Sequence, residues 1–255
     1  MGADAARAAS ELHAPMVWKP SADELPELSR PEMLRYLGYT GQQLGPDLAA
    51  RIDEAAELAV ADARPAGAFR TFGVDAAGVD VNGAPCIHLA GSDIELRGRD
   101  IFRHLKDAVG CAVLCCTLGM GTERRMRVLS ASDPLAATLY DAACSAYVED
   151  AVDALEARIR SMGSARGLST NWRFSCGYGD CPLDTQPSLL DALNAARLLG
   201  VTPTPSNLLV PCKSVTALIG LFDGAASDAD TRPSCAICRQ SNACPFRSRG
   251  LVCYS

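Results

Sequence analysis

Apolar residues change their spacing several times along the chain, and each change marks an element. Leu48, Ile52, Ala55, Ala59 and Ala63 recur at helical spacing, which predicts a helix over 47–63 that Pro65 stops. A longer stripe of Leu135, Leu139, Ala142, Ala146, Val152, Leu155, Ile159 and Met162 predicts a helix running to Gly163. Asp133 suits its N-cap and Pro134 its first turn. Shorter helices are expected from Pro31 to Gly38, from Thr122 to Leu129, and from Pro187 to Leu199, where Gly200 closes the last. Elsewhere the pattern turns to strand. Phe69 to Leu96 reads as two or three antiparallel strands, with Asn82-Gly83 as a hairpin signal. Cys111 to Leu118 is a continuous apolar run, suited to a strand buried on both faces. Residues 207–222 read as one or two strands, with Val215, Ala217, Ile219 and Leu221 alternating.

This pattern divides the chain into a flexible N-terminal tail (1–29), a folded domain (30–222), a polar linker (223–234) and a cysteine-rich tail (235–255). At 48% hydrophobic and 21% charged residues, the composition allows a sizeable core. A net charge of −6 without clustered Lys or Arg argues against a nucleic-acid surface. The longest apolar run, 108–121, is shorter than the ~20 residues of a membrane-spanning helix, so no membrane is expected. The start lacks a basic, then apolar, secretory pattern, and neither end carries a lipidation motif. Twelve cysteines without an export signal then point to a reducing cytoplasm rather than a disulfide framework.

Four of those cysteines crowd the end, at Cys235, Cys238, Cys244 and Cys253, as C-x2-C-x5-C-x8-C. A thiolate pair two residues apart can clasp one metal and nearby thiols can complete the site, which suits zinc or an iron–sulfur cluster. TLGMGTER (117–124) holds G-x-G, but Arg124 stands where a dinucleotide fingerprint wants its third glycine. It reads as a strand-to-helix turn. His13, His88 and His104 form no spaced cluster and read as structural. The most unusual stretch is RFSCGYGDCPLDTQ (173–186), a loop between the long helix and the Pro187 helix. There Arg173 could grip a carboxylate, Gly177 lets backbone approach a ligand, and Tyr178 offers an aromatic face with a hydroxyl.

The run from Arg173 through Gly177-Tyr178, followed by Cys181-Pro182 and Thr185-Gln186, resembles the S-adenosylmethionine-binding reactivation domain of cobalamin-dependent methionine synthase. PCKSVTALIG (211–220) and EMLRYLGYTGQ (32–42) extend the resemblance over roughly residues 30–222. It implies an α+β fold with a twisted antiparallel sheet flanked by helices, here with a small C-terminal cysteine-rich module. It also implies a groove in which Arg173 binds the methionine carboxylate, shaped by Phe174, Ser175, Cys176, Gly177 and Tyr178. Asp153 or Glu149, one turn apart on the long helix, would orient the ammonium group. No histidine here has Asp two residues before it, as cobalamin-binding modules require, so cobalamin is expected on a partner. The implied role is an accessory subunit that supports reductive methylation of a corrinoid methyltransferase such as a shortened methionine synthase, with a reducing protein as a further candidate partner. The alternatives are an iron–sulfur redox module supplying electrons to a corrinoid protein, and a non-catalytic scaffold of a methyltransferase complex.

Overall fold

The computed structural model describes residues 12–224, 242–244 and 247–250. In chain order its elements are β1 (Met16–Trp18), α1 (Arg30–Tyr36), α2 (Pro46–Asp62), β2 (Ala66–Asp75), β3 (Cys86–Leu89), β4 (Glu95–Arg97) and α3 (Arg99–Leu105). They continue as β5 (Gly110–Thr117), α4 (Met120–Ser132), α5 (Pro134–Ser164), β6 (Leu168–Thr170), α6 (Gln186–Ala192), α7 (Ala195–Leu199), β7 (Thr202–Pro203), β8 (Leu209–Val210) and β9 (Ser214–Asp223). One antiparallel sheet runs β4-β3-β2-β5-β9-β6, with β1 added beside β2, and β7 and β8 form a separate small arm. The architecture is therefore α+β, an antiparallel sheet flanked by helices.

Period two explains why the central strand carries so few polar residues. Ala112, Leu114 and Cys116 of β5 point to one face, where Met33 of α1, Ile52, Ala55 and Ala59 of α2 and the inner stripe of α5 cover them. Cys111, Val113 and Cys115 point the other way, against Ile101 and Leu105 of α3 and Leu189 and Leu190 of α6. Every residue of β5 is buried, and its cysteines act as small hydrophobes whose thiols burial holds neutral. β9 repeats the arrangement, with Ala217 and Ile219 on the first face and Leu218 on the second.

The long helix begins as its sequence implies, since the Asp133 side chain accepts from the Ala136 amide at 3.0 Å. Leu48 and Leu135, by contrast, are exposed ends of their predicted stripes. Three other differences have physical causes. The stretch expected as a flexible tail contributes β1, because Met16, Val17 and Trp18 pair with Phe69, Ala68 and Gly67, and Trp18 seals the core above α5. The helix expected from Pro187 to Leu199 is two helices, broken at Asn194, whose left-handed backbone (φ 52°) cannot continue a turn. The short α3 has a buried face of only Ile101, His104 and Leu105, too brief a period to stand out in sequence. Cys235, Cys238 and Cys253 lie outside the described residues; Cys244 is described and half-buried.

His104 of α3 is 4% exposed and packs edge-on to Trp172, with ring centroids 4.9 Å apart, and against Phe174. Burial holds its imidazole down to about 4, from an ordinary 6.5. The unfolded chain therefore takes up a proton as pH falls through the ordinary value, while the folded chain does not until about pH 4. Stability present at neutral pH should drop by about 2 kcal/mol from about pH 7 to about pH 5 for this group alone. A His104→Phe variant keeps a ring without a proton site and should lose that part of the acid sensitivity in urea titrations. An unchanged pH dependence would mean that the imidazole is not held neutral by burial.

The G-x-G turn serves packing. Gly119 opens α4 at φ 80°, and a Cβ on Gly121 would sit 2.2 Å from the Asp62 carbonyl oxygen at the end of α2. That close approach lets Asp62 accept from Arg125 Nε (2.8 Å) and from the Tyr140 hydroxyl (3.0 Å). Gly121→Ala should force α4 off α2 and cost about 1–3 kcal/mol. Denaturation with an unshifted midpoint would show that α4 relaxes freely.

Candidate functional site

Arg173 reaches its position through an irregularity in the sheet. Thr170 of β6 pairs with Leu221 of β9, but Phe174 pairs with Leu218, so four steps on one strand match three on the other. One residue is extra, as in a β-bulge. Asn171 anchors the bulge: its side chain donates to the His104 carbonyl at 2.9 Å and accepts from the Gly220 amide at 2.7 Å. Trp172 and Phe174 consequently share the face of His104, while Arg173 is turned toward α5.

There Arg173 meets three carboxylates. Its guanidinium donates to Glu149 at 2.8 Å, to Glu156 at 2.8 Å, and to Asp153. The three acids stand at i, i+4 and i+7 of α5 and so share one helical face. Exposure differs among them: the Arg173 side chain is 25% exposed, Glu156 11% and Asp153 63%. Burial works against the guanidinium charge, and the carboxylates of Asp153, Glu156 and Glu149 outweigh it, raising the Arg173 pKa above its ordinary value. Among the described residues the cluster holds one cation against three acids, and of these only Glu156 has a second basic partner, Arg160 at 2.8 Å. Such a set can receive a zwitterion, its carboxylate at the guanidinium and its ammonium between the acids.

The loop beyond Arg173 is tightly folded. Gly177 (φ 90°) and Gly179 (φ 58°) occupy the left-handed region, and the Gly177 and Cys181 amides donate to Cys181 and Tyr178 carbonyls within it. Cys176 and Cys181 are both buried, with the Cys181 thiol donating to Cys176 at 3.8 Å. That contact is the main reason the Cys176 thiol lies low and the Cys181 thiol high. Tyr178 is 71% exposed at the tip. Asp180 turns the other way and caps α3, accepting from the Arg99 and Asp100 amides at 2.9 Å each. Gln186 secures the far end, accepting from Thr216 Oγ1 and donating to the Asn207 carbonyl. Ser214 holds the start of β9, its hydroxyl donating to the Pro211 carbonyl at 2.7 Å.

Of the residues singled out in sequence, the structure brings Arg173, Asp153 and Glu149 into direct contact, whereas the Phe174 and Cys176 side chains turn into the core on the other face of the sheet and Tyr178 is exposed at the loop tip. Two residues were not singled out in sequence. Glu156 was signalled by its spacing from Glu149 and Asp153. The second is Tyr36, at the end of α1, whose hydroxyl pKa is raised by burial first and by the Glu149 carboxylate next. Tyr36 also lines a cavity of about 440 Å³ between α1, α4 and α5, together with Met126, Asp141 and Ser145. A larger groove of about 680 Å³ lies behind the loop, between Asp80–Pro85, Arg97–Arg99 and Asp180–Asp184. Arg173, Glu149, Asp153 and Glu156 line neither of these two.

No protein-family model and no curated protein matches the chain. Among solved structures, the MetH reactivation domain bound to AdoHcy matches with a TM-score of 0.59 and 13% sequence identity, covering 94% of this chain and 87% of that one. None of the helices among the described residues is long and apolar enough to cross a membrane. The chain has the fold of the MetH reactivation domain.

Proposed function

We propose that this chain binds S-adenosylmethionine at the Arg173 cluster and presents it to a corrinoid carried by a partner methyltransferase similar to methionine synthase, supporting reductive methylation of that corrinoid. The observation that carries the reading is the pairing of Arg173 with Glu149, Asp153 and Glu156, a donor and acceptor set that matches the carboxylate and ammonium of an amino-acid ligand. The shared fold with a domain bound to AdoHcy supports it. The sulfonium supplies an electrophilic methyl group, and a one-electron donor must reduce the partner's cobalamin before it can accept that group. Arg173 and the acids hold the amino-acid end, while backbone near Gly177 and the exposed ring of Tyr178 offer a close approach and a stacking face to the rest. No side-chain acid or base is required, because catalysis here is positioning of the methyl group.

At the C-terminus, Cys235, Cys238, Cys244 and Cys253 are assigned to zinc or an iron–sulfur cluster on the strength of their C-x2-C spacing. The reading is tested by calorimetric titration of S-adenosylmethionine and S-adenosylhomocysteine into anaerobically purified protein. Saturable binding of both is expected. Absence of heat for either ligand, alone and with a corrinoid methyltransferase present, would overturn it.

A further inference from the structure

We propose that the β3–β4 hairpin carries a divalent-metal site of the zinc class, with the Cys86 thiolate, His88 Nε2 and a Glu95 carboxylate oxygen as protein ligands and water in the fourth position. Strand geometry assembles the three. Cys86 and His88 are two residues apart on β3 and point to the same face, and antiparallel pairing sets Glu95 of β4 directly across from His88. Cys86 Sγ lies 3.3 Å from His88 Nε2, His88 Nε2 lies 3.8 Å from Glu95 Oε2, and the three ligand atoms fall within 4.8 Å of one another. Metal–ligand bonds of about 2.0–2.3 Å in a tetrahedron place ligand atoms about 3.3–3.6 Å apart, so the observed spacings need only small adjustment. A sulfur, an imidazole nitrogen and a carboxylate oxygen form the mixed donor set of open, three-ligand zinc sites.

Gly78, in the loop that folds back over β3, accepts from the Cys86 amide at 3.2 Å and rests its backbone against the imidazole. A Cβ at that position would stand 2.3 Å from His88 Cδ2 and 2.5 Å from its Nε2, so only glycine lets the loop approach the ring this closely. The nearby cation is Arg97, 3.9 Å from Glu95, and its guanidinium is held by Asp184 at 2.8 Å.

The site lies apart from the Arg173 cluster and does not depend on the function proposed for it. The experiment is titration of zinc and cobalt(II) into reduced full-length protein whose C-terminal Cys235, Cys238, Cys244 and Cys253 are replaced by serine, so that tail thiols cannot contribute. One equivalent of metal should bind, with cobalt giving tetrahedral d–d bands and a thiolate charge-transfer band. His88→Ala in that background should abolish the equivalent, and Glu95→Gln should weaken it while leaving the melting temperature of the metal-free protein unchanged. No metal binding, or binding indifferent to both substitutions, would overturn the site.

Discussion

Arg173→Ala is expected to weaken S-adenosylmethionine binding by about 10- to 150-fold, the loss that follows from removing a charge-assisted hydrogen bond of about 1.5–3 kcal/mol. The arginine is the cation that Glu149, Asp153 and Glu156 share, so a ligand carboxylate must draw it partly away from those acids. Without it, three acids face the ligand, still able to hold an ammonium but now repelling a carboxylate. The effect should therefore be confined to one end of the ligand. Decarboxylated S-adenosylmethionine should lose no affinity on the same substitution, which separates loss of the contact from collapse of the site. Equal affinity of wild type and variant for the intact ligand, measured calorimetrically, would remove Arg173 from the proposed role.

The largest effect on stability is expected at Leu114. Its side chain is 0% exposed at the middle of β5, between β2 and β9, and it faces the core beneath α2 and α5. Leu114→Ala removes buried methyl groups where strands on both sides and helices above leave little freedom to collapse. The loss should be about 3–5 kcal/mol, at the upper end for such a substitution. Urea denaturation followed by circular dichroism measures it, with Leu48→Ala on the exposed side of α2 as a control that should change little. A loss below about 1 kcal/mol at Leu114 would contradict the two-sided burial of this strand.

The charged cluster shows how a site can be half-legible. Glu149 and Asp153 share a helical face by spacing alone, and Glu156 continues it, so one wall of the site was written in the 3.6-residue period of α5. Arg173 belongs to no period. Its side reaches α5 only because the pairing of 170–174 with β9 gains one residue, and a bulge depends on which strand lies alongside, which local spacing does not encode. Tyr36 enters for a similar reason, since α1 crosses α5 at a point set by how Met33 docks in the core.

His88 makes the same point on a smaller scale. Read along the chain, it is a lone histidine with Cys86 two positions before it. Only the pairing of β3 with β4 gives it Glu95 as a neighbour.

By itself, then, the sequence determined the elements with strong periods: α2, α5 with its Asp133 cap, the doubly buried β5 and the alternation of β9. These rest on contacts within a few residues of one another and on the even or helical spacing that burial demands. Tertiary structure decided the rest. Sheet order, the recruitment of β1 from an apparent tail, the break at Asn194, the bulge that turns Arg173 to its acids and the meeting of Cys86, His88 and Glu95 all depend on long-range pairing. Which distant segment pairs with which is settled by the burial of whole faces, a quantity that no local window of residues contains.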